Sequence, residues 1–133
     1  MYKLFFIAFI AAMTTLVIPA CKKNNSPSQP EEVQLIISTD VWAYTTIPGP
    51  GTDFNLTVES AMPPVGVKIV AVVRGEIDNQ VYYAGSLIET NSKITKVFIN
   101  NLPKQTICIC TITVTSKSKS TNFATTSFRV VFK

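Results

Sequence analysis

Between Asp53 and Phe132 the apolar side chains return at every second residue, and that period constrains the fold more than any other feature of the chain. An extended strand sends successive side chains to opposite faces, whereas a helix repeats near 3.6 residues. The run "DFNLTVE" (Asp53 to Glu59) puts Phe54, Leu56 and Val58 on one face, and "TICICTITVTS" (Thr106 to Ser116) does the same with Cys108, Cys110, Ile112 and Val114. "VQLIIS" (Val33 to Ser38) aligns Val33, Leu35 and Ile37, and "VGVKIVAVVRG" (Val65 to Gly75) is almost continuously apolar, as a central strand is. "QVYYAG" (Gln80 to Gly85), "ITKVFINNL" (Ile94 to Leu102) and "FATTSFRVVF" (Phe123 to Phe132) bring the predicted strands to seven. Thr, Val and Ile dominate these runs, which suits a pleated, half-buried surface.

Turn-forming clusters separate the runs: "PGPG" (Pro48 to Gly51), "MPP" (Met62 to Pro64), "DNQ" (Asp78 to Gln80), "NSK" (Asn91 to Lys93) and "SKSKS" (Ser116 to Ser120). Seven short strands in about one hundred residues, Val33 to Lys133, predict a single all-β domain, an immunoglobulin-like β-sandwich. Within it, "VFINNLPKQTICICTITV" resembles the end of strand E, the corner and strand F of a fibronectin type III domain. Ile99, Leu102, Thr106, Cys110, Ile112 and Val114 fall where that family places its buried aliphatic, its Leu, its Thr and the inward residues that follow. Cys108 stands where the family has its corner Tyr, and no Trp lies on the strand from Val67 to Val73, so the corner hydrogen bond and the buried indole of that family are both missing.

The amino-terminal part reads differently. One Lys at position 3 precedes Leu4 to Val17, which carries no charge and at fourteen residues is shorter than the about twenty needed to span a bilayer as a helix. A charged start, a short apolar run and a small residue before a cut is the pattern of a secretory signal peptide. Ile18-Pro19-Ala20-Cys21 resembles the lipobox of bacterial lipoproteins, with Ile and Pro as departures at its first two positions. The resemblance implies a signal peptide over residues 1–20, cleaved before Cys21, and acylation of Cys21 itself. Two or three acyl chains anchor a protein firmly, at about 0.8 kcal/mol per buried CH₂. Residues 21–32, rich in Lys, Asn, Ser and Pro, have nothing to bury and are expected to form a lipid-anchored flexible tether. In the lipoprotein family an Asp after the Cys signals inner-membrane retention. Lys22 in that place implies the outer membrane. Lipoproteins of the Bacteroidetes type that reach the cell surface carry an acidic run soon after the Cys. Glu31-Glu32 comes late for that, so the periplasmic face is favoured.

The chain has no histidine, which removes the commonest general base and the commonest metal ligand. Neither an enzyme activity nor a cofactor is expected. Net charge is +4, but the lysines are scattered without interleaved aromatics, so nucleic acid is not an expected partner. Cys108 and Cys110 lie two apart on one strand face. They are either a metal or redox pair lacking further ligands, or small buried hydrophobes, the reading favoured here. The eight carboxylates sit mostly at strand ends and loops, Asp40 and Asp53 flanking one excursion and Glu76 and Asp78 sharing another, and are expected to be solvated. "NLT" (Asn55 to Thr57) has the form of a glycosylation sequon.

Trp42 and Tyr44 lie in the irregular stretch before the stiff "IPGPG" loop (Ile47 to Gly51), and Tyr82 and Tyr83 lie on an expected edge. Trp42 admits two readings, a core residue closing the open end of the sandwich or, with Tyr44 and the "IPGPG" loop, a contact surface for a partner. The expected function is a non-catalytic, membrane-anchored binding or accessory module of the cell envelope, with an envelope protein or glycan as partner. The alternative is a structural subunit joined to others through its sheet edges in a pilin-like or adhesin assembly.

Overall fold

The computed structural model describes residues 31–133, which form an all-β sandwich of two sheets. Nine strands occur in chain order: β1 (Ile37–Thr39), β2 (Tyr44–Ile47), β3 (Thr52–Val58), β4 (Val67–Gly75), β5 (Val81–Ala84), β6 (Ile88–Thr90), β7 (Ile94–Ile99), β8 (Ile107–Ser116) and β9 (Phe123–Phe132). The smaller sheet has the order β1-β3-β7 and the larger one β2-β9-β8-β4-β5, with β6 also paired to β4. Neighbours are antiparallel except β2, which runs parallel to β9.

The alternation read from the sequence sets the core. Phe54, Leu56 and Val58 of β3 and Cys108, Cys110, Ile112 and Val114 of β8 are all buried. β4 is central, between β8 and the β5–β6 edge, and buries Val67, Ile69, Ala71 and Val73. Each fully buried Val, Leu or Ile stabilises the fold by roughly 1.5–3 kcal/mol relative to an exposed one. Phe54 from the smaller sheet meets Phe128 from the larger edge-to-face, with centroids 5.1 Å apart and planes at 85°. Such a pair adds about 0.5–1.5 kcal/mol beyond area burial.

The structure adds two strands to the seven expected. β2 pairs with residues 129–132 of β9, some eighty-five positions away, and its four residues carry no pattern of their own. β6 continues the edge begun by β5 after an interruption at Gly85 to Leu87, where the Gly85 N–H still reaches the Ala71 carbonyl at 2.8 Å. The first expected strand, Val33 to Ser38, shortens to Ile37–Thr39, because side chains take over the pairing ahead of it. The Leu35 N–H donates to Asn122 Oδ1 at 2.9 Å and the Ile36 N–H to Ser60 Oγ at 3.2 Å. Leu35 is buried while Val33 is exposed. Glu32, read from composition as the end of the tether, accepts hydrogen bonds from the Ser118 hydroxyl and from Asn122 Nδ2.

Sheet edges follow from the hydrogen-bond phase. The Val58 N–H donates to the Lys93 carbonyl at 2.8 Å, so Thr95, Val97 and Ile99 bond to β3 while Ile94, Lys96 and Phe98 turn their backbone groups away from it. Lys96 sits in the middle of this edge, paired with Asp53 at 2.8 Å, and the Tyr83 hydroxyl donates to the Phe98 carbonyl at 2.9 Å. The carboxy-terminal strand is covered over its last four residues by β2.

Candidate functional site

Asp40 ends β1. Its N–H donates to the Asn55 carbonyl at 3.2 Å, and its carboxylate accepts from the Asn55 N–H at 2.8 Å and from Asn55 Nδ2 at 2.7 Å. The chain then leaves the smaller sheet, packs Val41 against the core, and joins the larger one as β2. The join begins at Ala43, whose carbonyl accepts the Arg129 N–H at 2.8 Å. Trp42 lies on this crossover with 83% of its surface exposed, and Tyr44 follows with 53%. Trp42 is therefore not a core residue.

Tyr44 is the register partner of Arg129, Arg129 of Ile109, Ile109 of Arg74, and Arg74 of Val81. Register partners share a face, so these five side chains form one row across the outer surface of the larger sheet. Arg129 Nε holds Glu76 Oε1 at 2.6 Å, and Arg74 makes a long contact of 3.4 Å to the Asn79 carbonyl. Beside the row lies an open recess of about 230 Å³ lined by Ala43, Ile109, Ser127, Phe128 and Arg129. Sequence reading singled out the two aromatics but missed Arg129, Arg74 and Ile109. Alternation alone places Arg129 opposite the buried face of β9, yet only the long-range register brings it beside Tyr44.

The "IPGPG" loop does not join this surface. Ile47 is buried, the Leu102 N–H donates to the Pro50 carbonyl at 2.9 Å, and a Cβ on Gly51 would lie 2.9 Å from the Ile99 carbonyl. The loop is thus pinned at one end of the sandwich, and β2 carries its start about 10 Å from Tyr44 at about 3.3 Å per residue. The tyrosines of β5 turn their hydroxyls inward to the protein: Tyr82 donates to Asp78 Oδ2 at 2.6 Å and Tyr83 to Phe98. The hydrogen bond to Asp78 raises the Tyr82 pKa and lowers that of Asp78.

Cys108 and Cys110 are both unbonded and fully buried. Burial, then the nearby charge of Asp78, raises the Cys108 thiol, and burial pushes Cys110 up to about 12. A thiol so raised is not a nucleophile at neutral pH. The carboxylates have separate partners: Asp53 and Glu89 pair with Lys96 and Lys117, Glu76 with Arg129, and Glu59 accepts from the Ser38 hydroxyl. Among the described residues no group of three or more Cys, Asp or Glu side chains could hold a metal ion. Cys21, the expected lipidation site, and residues 1–20 lie outside the described residues. A comparison with protein-family models gives no match for this chain, and neither does a search of curated proteins.

Proposed function

We propose that the chain is a non-catalytic binding module of a bacterial cell envelope, carried on acyl chains at Cys21 and contacting its partner through Trp42 and Tyr44. The observation that carries this reading is the exposure of Trp42. An indole left in water at 83% exposure, on a crossover tied down at Asp40 and Ala43, contributes little to the core and is available to a partner.

The domain is best read as an immunoglobulin-like sandwich of the fibronectin type III kind. Three features support this: the strand order β1-β3-β7 against β2-β9-β8-β4-β5, the first strand divided between the two sheets, and the inward register of Ile99, Leu102, Cys110, Ile112 and Val114. The lipobox-like residues Ile18 to Cys21 support the anchor, Lys22 supports the outer membrane, and the late position of Glu31-Glu32 supports its periplasmic face. Strand-joined assembly is the weaker reading. The β7 edge carries Lys96 at its centre and a Tyr83 cap, and a charge on an edge opposes pairing with another chain.

Trp42→Ala tests the proposal. A buried Trp costs about 3–5 kcal/mol when truncated, whereas surface changes stay within about 0.5 kcal/mol. We expect an unchanged urea midpoint and a wild-type emission that iodide quenches freely. Envelope glycan and protein fractions are then titrated separately. The fraction that shields Trp42 from iodide should bind the variant on the order of thirtyfold more weakly. A variant that is strongly destabilised, or that binds every fraction as the wild type does, overturns the proposal.

A further inference from the structure

We infer that the Trp42–Tyr44 surface receives a segment of a linear, carboxylated glycan laid across the strands of the larger sheet; this rests on the contact-surface reading above. Shape comes first. The row Tyr44, Arg129, Ile109, Arg74 and Val81 crosses five adjacent strands, about 19 Å at about 4.8 Å per strand spacing, with Trp42 just before Tyr44 in the chain. Its recess is shallow and open, whereas a small-molecule site encloses most of its ligand. A straight, unroofed track of this length suits an extended polymer.

Chemistry narrows the polymer. The aromatic faces offer apolar stacking area, while the outward neighbours of the row include, beside Val131, Ile107 and Val72, the hydroxyls of Thr46, Ser127 and Thr111, which both donate and accept. A protein hot spot has a dry apolar centre, and within the row itself only Ile109 and Val81 are aliphatic, set between Tyr44 and the two arginines. A chain of sugar rings presents C–H faces and hydroxyls together, and so matches both parts. The charges set its sign. Two guanidinium groups lie in the row against the single carboxylate of Glu76, which engages Arg129 through Nε and leaves its other nitrogens to a ligand. Guanidinium forks match carboxylates in geometry as well as charge. Two such groups in about 19 Å suit occasional uronate carboxylates better than a phosphate on every residue, which sets single-stranded nucleic acid aside.

Trp42 is the single tryptophan of the chain, so it reports on the site directly. The full-length protein in detergent is titrated with polygalacturonate, alginate and hyaluronan, reading Trp42 emission and iodide quenching. Methyl-esterified polygalacturonate is the uncharged control and single-stranded DNA the competing anion. At least one carboxylated polymer should shield Trp42, more weakly as salt rises, and the ester and the DNA should not. Arg129→Gln and Arg74→Gln should each weaken binding about tenfold. Glu76→Gln should strengthen it by releasing Arg129, which a merely structural role for that ion pair would not do. Lys119→Gln, beyond the far end of β8, should change nothing. Failure of all three polymers to shield Trp42, equal binding of the ester or the DNA, or equal loss with Lys119→Gln overturns the inference. If Trp42 is freely quenched in the unliganded protein, the contact-surface reading outlives that failure and a protein partner takes the glycan's place. If Trp42 is shielded without ligand, both fall.

Discussion

Asn122 is a buried amide whose hydrogen bonds hold the amino-terminal segment to the β8–β9 hairpin, and replacing it separates two mechanisms. Its Oδ1 accepts the Leu35 N–H at 2.9 Å, and its Nδ2 donates to the Val33 carbonyl at 3.0 Å and to Glu32 at 3.1 Å. Asn122→Ala leaves the buried Leu35 N–H without an acceptor, at roughly 1–3 kcal/mol, and removes a partly buried bond to Val33 worth about 0.5–1.5 kcal/mol. The expected loss is therefore roughly 2–4 kcal/mol, a large part of the about 5–15 kcal/mol by which such a domain is stable. A urea midpoint followed by circular dichroism should fall by roughly 1–2 M for a slope of about 2 kcal/mol per molar. Asn122→Asp keeps the acceptor for Leu35 but sets a carboxylate against Glu32 and the Val33 carbonyl. One carboxyl of that pair then titrates above its unfolded range, the folded state binds the extra proton, and stability rises as pH falls from neutrality through that raised value. The wild type runs the other way. Hydrogen bonds from Ser118, chiefly, and from Asn122 hold the Glu32 pKa below its ordinary 4.5. That contribution is complete above 4.5 and disappears as pH falls through the lowered value. An Ala variant within about 0.5 kcal/mol of wild type, or an Asp variant whose stability falls with acid as the wild type's does, would refute the latch.

Other expectations are quick to check. Cys108 and Cys110 should resist thiol reagents in the native protein and react at once in denaturant, and Cys108→Ser should cost roughly 1–3 kcal/mol; rapid native labelling would contradict their burial. Lys96→Val should turn the β7 edge into a self-pairing surface, seen as concentration-dependent association in sedimentation velocity, while the wild type stays monomeric at the same concentrations. Mass spectrometry of membrane-extracted protein should show an acylated amino-terminal Cys21, and Cys21→Ser should abolish both acylation and normal processing. A soluble mature chain starting beyond Cys21 would defeat that reading.

Where a strand buries one face over six or more residues, its register was legible without coordinates. The inward sets of β3 and β8 match the alternation residue by residue, because a slip of one would expose every apolar side chain at once. β2 and β6 were not legible. With four and three residues they hold their places through partners far along the chain. The loss of Val33 to Ile36 from the first strand has a similar cause, since its amides bond to the side chains of Asn122 and Ser60. Hydrophobic periodicity carries no trace of such bonds. The site was half legible. Trp42 and Tyr44 stood out as aromatics in an irregular stretch, but exposure depended on where the chain changes sheets, and the arginine row depended on β-pairing across nearly the whole domain.

The crossover at Asp40 to Ala43 also decides how the molecule would bear tension. The path of a pull between residue 31 and Trp42 runs through the Asn122 latch, the buried Leu35, the Ile36–Ser60 and Asp40–Asn55 hydrogen bonds and the three register pairs of β1, and bypasses the pairing among the long strands β4, β8 and β9. When it yields, the eleven residues from Glu32 to Trp42 extend to about 35 Å, while the row from Tyr44 to Val81 keeps its strand pairing. The amino-terminal segment can thus act as a sacrificial extension, one that lengthens under load before the larger sheet deforms.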